Sequence, residues 1–521
     1  MERPDPSTIP PPAPPRSAVR GALVFMGGTL GSRASGLLRE VLLVALFPVR
    51  ASDAFRIAWA VPNLFRELLA EGALTNAFVP VVQRLRGDDR RAFAGAMSAA
   101  LALVNALLLG AALLAAPWIV DLLLAADSNV DRDLAVRLLR LTFPVLGAIS
   151  MAALAMGVLQ AEERFAAPAW APVALNATAI AAMLAFPGAP AALALGVVAG
   201  GVLQALVQWP AMARAGLVPR WRWWHAAMPA ALALMGPFAF TTGARQVLNV
   251  VAQRMVSNDA LFPAGAVTGY ALASMLFALA LGLGAISPAV AFYARLGRCA
   301  ADGDGDGFRT ALEGGARFIA TLTVPAGVAM ALFAEPAVRV LFEFLQPAAG
   351  QDRSIALAVA ALAPLGAALT ASGWVNYLLR PFFVRGRVRA PVALAVATAA
   401  LTAVLFVVLT PRLGIAGLSW GTAIAQGSLA VVLVAWHARV ERWSPAPLLG
   451  DLGRVAVAAA VAGALAWAIT APLIGGADAG WVRHALVLAL GGATLGIAYA
   501  AVGVAVGARD VRALVARLRR R

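Results

Sequence analysis

Charged side chains stand inside two otherwise apolar stretches, and they define the chemistry open to this chain. The first stretch, GSRASGLLREV, carries Arg33, Arg39 and Glu40. In a helix, Arg33, Gly36 and Glu40 share one face, and Arg39 lies over Ser35 and Ser32 on another. The second, SDAFRIAWAVPNLFRELLAEGALTNAFVP, carries Asp53, Arg66, Glu67 and Glu71. Pro62 removes a backbone donor, bends the helix and frees a carbonyl. Asn63 lies one turn before Arg66, and Gly72 allows close helix packing. An ionised group in an apolar helix is costly, so it usually faces a polar cavity or a pathway. A guanidinium presents a planar fork of donors that matches phosphate oxygens. Several of them imply an anionic substrate, with a pyrophosphate among the candidates. The acids would neutralise spare arginine charge, guide cations or break ion pairs during a movement. Two plainer readings stay open. Arg33 and Arg39 would snorkel to an interface, or Arg39, Arg66, Glu40 and Glu71 would lock helices together.

The elements that carry these residues are membrane spans. Of the 521 residues, 61% are hydrophobic and 13% charged, with a mean hydropathy of +0.81. A soluble chain carries about 25% charged residues, so many apolar side chains here must face lipid. The apolar runs are far longer than the ~10-residue alternating strands of a barrel, which predicts an all-α polytopic fold. About fourteen spans of the required length are expected. They lie near 21–49, 54–83, 93–124, 134–159, 170–187, 190–212, 226–252, 264–292, 314–343, 354–379, 390–410, 414–436, 452–473 and 481–507. The Pro-rich residues 1–20 read as a disordered tail, and 508–521 as a second, basic tail.

The net charge is +16, and all the basic residues are arginine. They do not form one stripe for a nucleic acid but sit in short loops. QRLRGDDRR, RAGLVPRWRWW, RPFFVRGRVR, WHARVERW and the basic tail follow even-numbered spans. The Arg-poor DSNVDRD, FPGAP, SNDALFPAG and IGGADAG follow odd-numbered ones. The positive-inside rule then puts both termini in the cytoplasm. The single cysteine, Cys299, and three histidines leave no disulfide and little material for a metal centre. No GxxxxGK[ST] nucleotide loop occurs. DGDGDGFRTALE matches a calcium-loop template through Asp302, Asp304, Asp306, Gly307 and Glu313, but Arg309 departs from it, and no metal site is assigned.

A weak internal repeat pairs Pro80 and Arg84-Leu85 with Pro288 and Arg295-Leu296, each followed by a charged loop and a long span. Two lobes of the same order, here 21–212 and 213–436, are the mark of a transporter that holds substrate between them. Residues 437–507 would add two further spans.

On these residues the chain resembles the MurJ/MviN family of lipid II flippases, within the larger group of multidrug and polysaccharide-lipid exporters. The family's opening Ser-Arg, Gly and Arg appear as Ser32, Arg33, Gly36 and Arg39. Its longer pattern appears as Asp53-Ala54-Phe55, Pro62-Asn63, Arg66, Glu71-Gly72-Ala73 and Ala77-Phe78-Val79-Pro80. LQAEERFAAPAWAPVALN, FFVRGRVRAPV and GIAGLSWGTAIAQ continue the likeness. The resemblance implies fourteen helices in two lobes, alternating access, and a groove for an undecaprenyl tail in the last two spans. The implied substrate is lipid II, a saccharide-peptide on a pyrophosphate-linked polyprenol, moved across the bacterial inner membrane. It implies no cofactor, with membrane potential or an ion gradient as the driving force. Membrane lipids, and cell-wall synthesis proteins, are the expected partners. The residues carried over are Arg33, Arg39, Asp53 and Arg66, with Glu71 a further candidate.

One departure stands out. Where the family carries Asp-Arg after a Tyr-Ala in the eighth span, this chain has Leu272 and Ala273 after Tyr270-Ala271. Arg245 and Arg254 in the seventh span are candidates to restore the charge, although Arg254 also fits an outward, snorkelling position. Three other functions stay open: export of another polyprenyl-linked saccharide or amphiphile, a scaffold role in cell-wall assembly, and a membrane-embedded transferase. The last would want acids or a metal at a water interface, whereas this set is rich in arginine and lies within spans.

Overall fold

The computed structural model describes residues 16–67, 78, 81–162, 164–387, 389–473 and 480–519, excluding the side chains of 16–26, 234–245 and 518–519. Every named element among them is helical. In order, the long helices are α1 (Arg16–Leu46), α2 (Val49–Phe65), α3 (Gly87–Leu123), α4 (Val145–Ala161), α5 (Ala166–Ala185), α6 (Pro190–Leu206) and α7 (Met228–Val256). They continue with α8 (Ala266–Leu281), α9 (Gly305–Leu332), α10 (Gln351–Leu378), α11 (Arg389–Leu413), α12 (Ala416–Val440), α13 (Ala446–Thr470), α14 (Trp481–Ala505) and the short α15 (Arg509–Arg519). Shorter helices, such as Arg132–Thr142 before α4 and Trp209–Arg214 after α6, extend the spans. Eleven helices among the described residues are long and apolar enough to cross a membrane. The protein is therefore a multi-pass, all-α membrane protein. At 1.5 Å per residue α3 runs for about 55 Å, longer than the ~30 Å hydrocarbon core, so its ends stand in the interface or in water.

Packing divides the chain into two units. One takes in the chain up to Glu40, Val61–Leu114 and Arg140–Ala239; the other takes in Val41–Ala60, Ala115–Leu139 and the chain from Phe240 onward. Small residues bring helices together within each, as expected where lipid gives no hydrophobic drive between them. In the first unit, a side chain at Gly200 of α6 would meet the backbone of Leu175 in α5 at 2.8 Å. In the second, Gly327 of α9 faces Gly366 of α10, and a Cβ on Gly327 would stand 2.5 Å from the Gly366 carbonyl oxygen. The α13–α14 pair docks on this unit through a cluster of Phe333, Ala462, Ala466, Val487 and Leu495.

The segment 1–20, expected to be disordered, is helical at its end, and the basic tail is helical as well. α1 already begins at Arg16, directly after the last proline of the N-terminal tail, since a proline does not obstruct the helix that follows it. Residues 1–15 lie outside the described residues. The basic tail folds as α15, with Val511 buried beside Val455 and Ala508. Asp510 accepts from Arg317 Nε at 2.8 Å, and Arg509 lies 3.3 Å from the buried Asp451.

The calcium-loop stretch is not a loop. α9 starts at Gly305, with Asp304 as its N-cap accepting from the Gly307 amide at 2.8 Å. Asp306 pairs with Arg309 at 2.8 Å, and Glu313 with Arg317 at 3.4 Å. Helix-starting geometry thus takes up the acids that the template would turn on a cation.

The Gly327–Gly366 contact predicts that Gly366→Val destabilises the protein by about 1–3 kcal/mol through overpacking. Thermal unfolding in detergent should show a lowered midpoint. Gly492→Val, on an open face of α14 with nothing within 4 Å, should leave the midpoint unchanged.

Candidate functional site

Arg33, Arg39 and Glu40 lie on α1, in the first unit. Arg39 donates from Nη1 to the Asn176 side-chain oxygen at 3.2 Å and from Nη2 to Glu40 at 2.8 Å. Asn176, on α5, is buried, and its amide nitrogen donates to the Ser32 carbonyl at 3.2 Å and to Ser35 Oγ at 3.1 Å. One amide group therefore holds the guanidinium with its oxygen and α1 with its nitrogen. A neutral oxygen orients the cation without cancelling its charge. Gly36 leaves room for this amide: a Cβ there would sit 3.6 Å from Asn176 Nδ2. Arg33 Nη1 is buried and has no hydrogen-bond partner among the described residues. A buried donor left open is rare and marks a place where a ligand would supply the acceptor.

Arg66, directly after the end of α2, is also held by an amide, here one from the preceding turn. Asn63 Oδ1 accepts from Arg66 Nε at 3.1 Å and from Nη2 at 2.7 Å. The Asn63 amide nitrogen donates to Glu67 at 3.0 Å. Pro62 lies just before this group inside the helix. Glu71 lies outside the described residues.

Asp53, in the second unit, has a different task. It is only 2% exposed, and both its oxygens are occupied. Oδ2 accepts from the Gly265 amide at 2.7 Å; Oδ1 accepts from the Thr268 amide at 2.9 Å and from its hydroxyl at 2.5 Å. These donors belong to the first turn of α8, where helix geometry leaves amides open and the dipole favours an anion. Gly265 has a φ of +101°, a turn suited to glycine. Around it, Gln351 donates to the Phe47 carbonyl at 2.9 Å and to Ser52 Oγ at 2.8 Å. The Val49 amide donates to the Ala349 carbonyl at 3.1 Å. The turn between α1 and α2 is thus fastened to the starts of α8 and α10.

The eighth-span departure is built into the packing, for Leu272 and Ala273 are 1% and 0% exposed. Arg254 does not stand free to replace the missing charge. It is exposed on the last turn of α7, and its Nη1 donates to the carbonyls of Asp121 and Leu122 at 3.2 and 3.1 Å. It caps the C-terminal end of α3, where open carbonyls favour a cation. The Arg245 side chain lies outside the described residues. Sequence reasoning passed over Asn176 as a functional residue, although PVALN stood within the family likeness. A buried asparagine has many plain uses, and only the fold brings it to Arg39.

A bundle of apolar helices with arginines held in this way is an arrangement suited to a membrane transporter, and its fold is one that known transporters share. The chain is similar to an inward-facing multidrug resistance MATE family transporter of the MOP superfamily. The TM-score is 0.64 at 15% identity, covering 81% of this chain and 98% of that one. It is similar, with a TM-score of 0.75 and 20% identity, to lipid II flippase MurJ in an inward closed conformation, over 91% of this chain and 98% of that one. The family model described as lipid II flippase MurJ matches residues 44–477. The lipid II flippase MurJ of Burkholderia cenocepacia is 31% identical over 470 residues, 86% of this chain and 89% of that protein. The probable lipid II flippase MurJ of Rhizobium meliloti is 31% identical over 465 residues, 85% of each chain. The chain belongs to the lipid II flippase MurJ family.

Asn176→Ala is expected to release Arg39 and weaken capture of a pyrophosphate lipid about tenfold, the equivalent of one charge-assisted hydrogen bond. Asn176→Asp should weaken it further, by setting a second carboxylate against Arg39. Equal binding in all three proteins, measured with a fluorescent pyrophosphate-linked polyprenol, would rule out this role.

Proposed function

We propose that this protein flips lipid II from the inner to the outer leaflet of the bacterial inner membrane by alternating access. Flipping moves the substrate intact, so the site performs no covalent chemistry. The observation that carries the reading is the buried Arg33 donor without a partner, on the same helix as Arg39 with its neutral asparagine. A pyrophosphate supplies the acceptors such a set lacks. Arg39 and Arg66 take the phosphates, Arg33 completes the cradle, and Glu40 balances part of the charge while the site is empty. Glu71 is a further candidate for that balance.

Asp53 is the gate. Its hydrogen bonds to Gly265 and Thr268 must break for the α1–α2 turn to leave α8. The basic loops face the cytoplasm together with both termini, and the Asp53 turn faces the other side. The membrane potential or an ion gradient drives the cycle without a cofactor. Lipid II released outside then meets the cell-wall synthesis proteins that consume it.

A second reading, export of a different polyprenyl-linked saccharide, is favoured by one observation. Leu272 and Ala273 stand, buried, where the family carries Asp-Arg.

The test is replacement of the endogenous flippase in a depletable bacterium, with lipid II on the outer surface measured by cleavage with added enzyme. The chain should restore exposure. Arg39→Ala and Arg66→Ala should each reduce it roughly ten- to hundredfold, from the loss of charged hydrogen bonds worth about 1.5–3 kcal/mol, while Arg254→Ala should retain it. Restored growth without lipid II exposure would sink the reading. A correctly inserted protein that exposes another lipid-linked saccharide would favour the second.

Asp53→Asn places an NH2 against at least one amide donor of α8 and should loosen the gate. Labelling of a cysteine at Val49 from outside the cell, in a Cys299→Ala background, should become faster. Unchanged labelling would mean that the Asp53 bonds do not hold the closed state.

A further inference from the structure

The segment 215–227 links the short helix Trp209–Arg214 to α7 and reads AGLVPRWRWWHAA. It is fastened to the start of α3. The Arg220 amide donates to the Arg91 carbonyl at 3.0 Å, and Arg91 Nε donates to the Val218 carbonyl at 3.0 Å. Arg220 pairs with Asp88 at 2.9 Å. The Ala227 amide donates to His225 Nδ1 at 3.1 Å, so Nε2 carries the proton and donates to Asp89 at 3.0 Å. The His225 ring also meets Phe93 edge-on, with centroids 5.4 Å apart. Gly95 lets the linker lie directly on α3, since any Cβ there would fall on the Arg220 backbone.

Despite these ties the linker leaves its largest apolar side chains outside. Trp221, Trp223 and Trp224 are 61%, 69% and 63% exposed, with the exposed Arg222 among them. Trp221 and Trp223 stack edge to face at 5.6 Å. Exposed indoles at this density are unfavourable in water. Both ends of the linker continue into apolar helices, so it is confined to the level at which the chain leaves the bilayer. At that level indoles are stable, with rings against acyl chains and N–H groups towards headgroups. Arg91, Arg220 and Arg222 outnumber Asp88 and Asp89 here, and Arg222 is the exposed cation among the indoles, of a sign that suits anionic lipid.

We propose that the Trp221–Trp224 patch is a membrane-surface anchor that inserts its indoles into the headgroup layer and holds anionic phospholipid through Arg222. Because the linker is stapled to α3, the anchor sets the depth of that helix end and of the chain entering α7.

The test uses the full chain with Cys299→Ala and a nitroxide on a cysteine at the exposed Ala226. The protein is reconstituted in nanodiscs of phosphatidylcholine, with or without phosphatidylglycerol. The readout is nitroxide accessibility to oxygen against a water-soluble nickel complex. The intact patch should place the label at interfacial depth, deeper when phosphatidylglycerol is present. Trp221→Ser, Trp223→Ser and Trp224→Ser together should move it into water, and Arg222→Gln should abolish only the dependence on lipid charge. If the triple variant is not recovered folded, Trp223→Ser alone should give a smaller shift in the same direction. An aqueous label in the intact protein, or equal depth with and without the tryptophans, would overturn the proposal. A label exposed in nanodiscs but shielded in native membranes would assign the patch to a protein partner and would equally overturn it.

Discussion

A guanidinium inside an apolar helix has to be held without being cancelled. If a carboxylate takes all its donors, no charge is left for a ligand; if nothing does, desolvation and side-chain freedom spoil the site. The MurJ-family chain divides the task at Arg39 between a carboxylate, Glu40, which takes one nitrogen, and an amide, which takes another. Asn176 orients Arg39 and Asn63 orients Arg66, each through a neutral oxygen. The nitrogen of the same amide is tied elsewhere, Asn176 to Ser32 and Ser35 of α1 and Asn63 to Glu67. Much of the local sequence serves this arrangement, from Gly36, which leaves room for the amide, to the serines that receive it.

Asp53 meets the opposite requirement. It is an anion whose oxygens are fully used, by amides that any helix start leaves open. Such bonds are strong while the geometry lasts and are lost together when it changes, because each depends on the same turn of α8. In the proposed cycle the arginines take a ligand without rearranging their own supports. The Asp53 site can only change by letting go. The proposed cycle therefore places holding substrate and changing shape on different residues.

Much of this was legible in the sequence. Long apolar runs announced the spans, because lipid admits few alternatives to a helix, and ionised residues within them stood out as candidates, because their cost demands a reason. What escaped was whatever depends on partners distant in the chain. Asn176 touches Arg39 across 137 positions, and no spacing rule joins them. Arg254 was open to two readings, a replacement cation or an outward residue, and the carbonyls it caps lie over 130 positions away. The DGDGDG stretch met a calcium template in residue types and failed it in backbone, because Asp304 is as good an N-cap as it is a ligand. The basic tail read only as a charged terminus because its arginines dominate the composition. Its few apolar residues, with Val511 among them, fall on one face and find a cluster to join.

The missing Asp-Arg pair in α8 follows the same electrostatic logic. Loss of one partner alone would leave a buried charge uncompensated, at a cost of about 3–5 kcal/mol. Loss of both, with well-packed apolar residues in their place, is often neutral or stabilising. Leu272 and Ala273 are buried to 1% and 0% exposure, which is the second situation and not a damaged version of the first. The change therefore leaves the helix sound and removes a charge from its chemistry. Arg254 caps α3 and is exposed there, which fits the outward position that the sequence also allowed. The arginines proposed to hold the anion are those of α1 and of the end of α2, where Asn176 orients Arg39 and Asn63 orients Arg66. A member of the family that keeps the α8 pair has a further cation to fall back on when one of those amides is lost. This chain, lacking the pair, should depend more steeply on Asn176 and Asn63 than such a relative does.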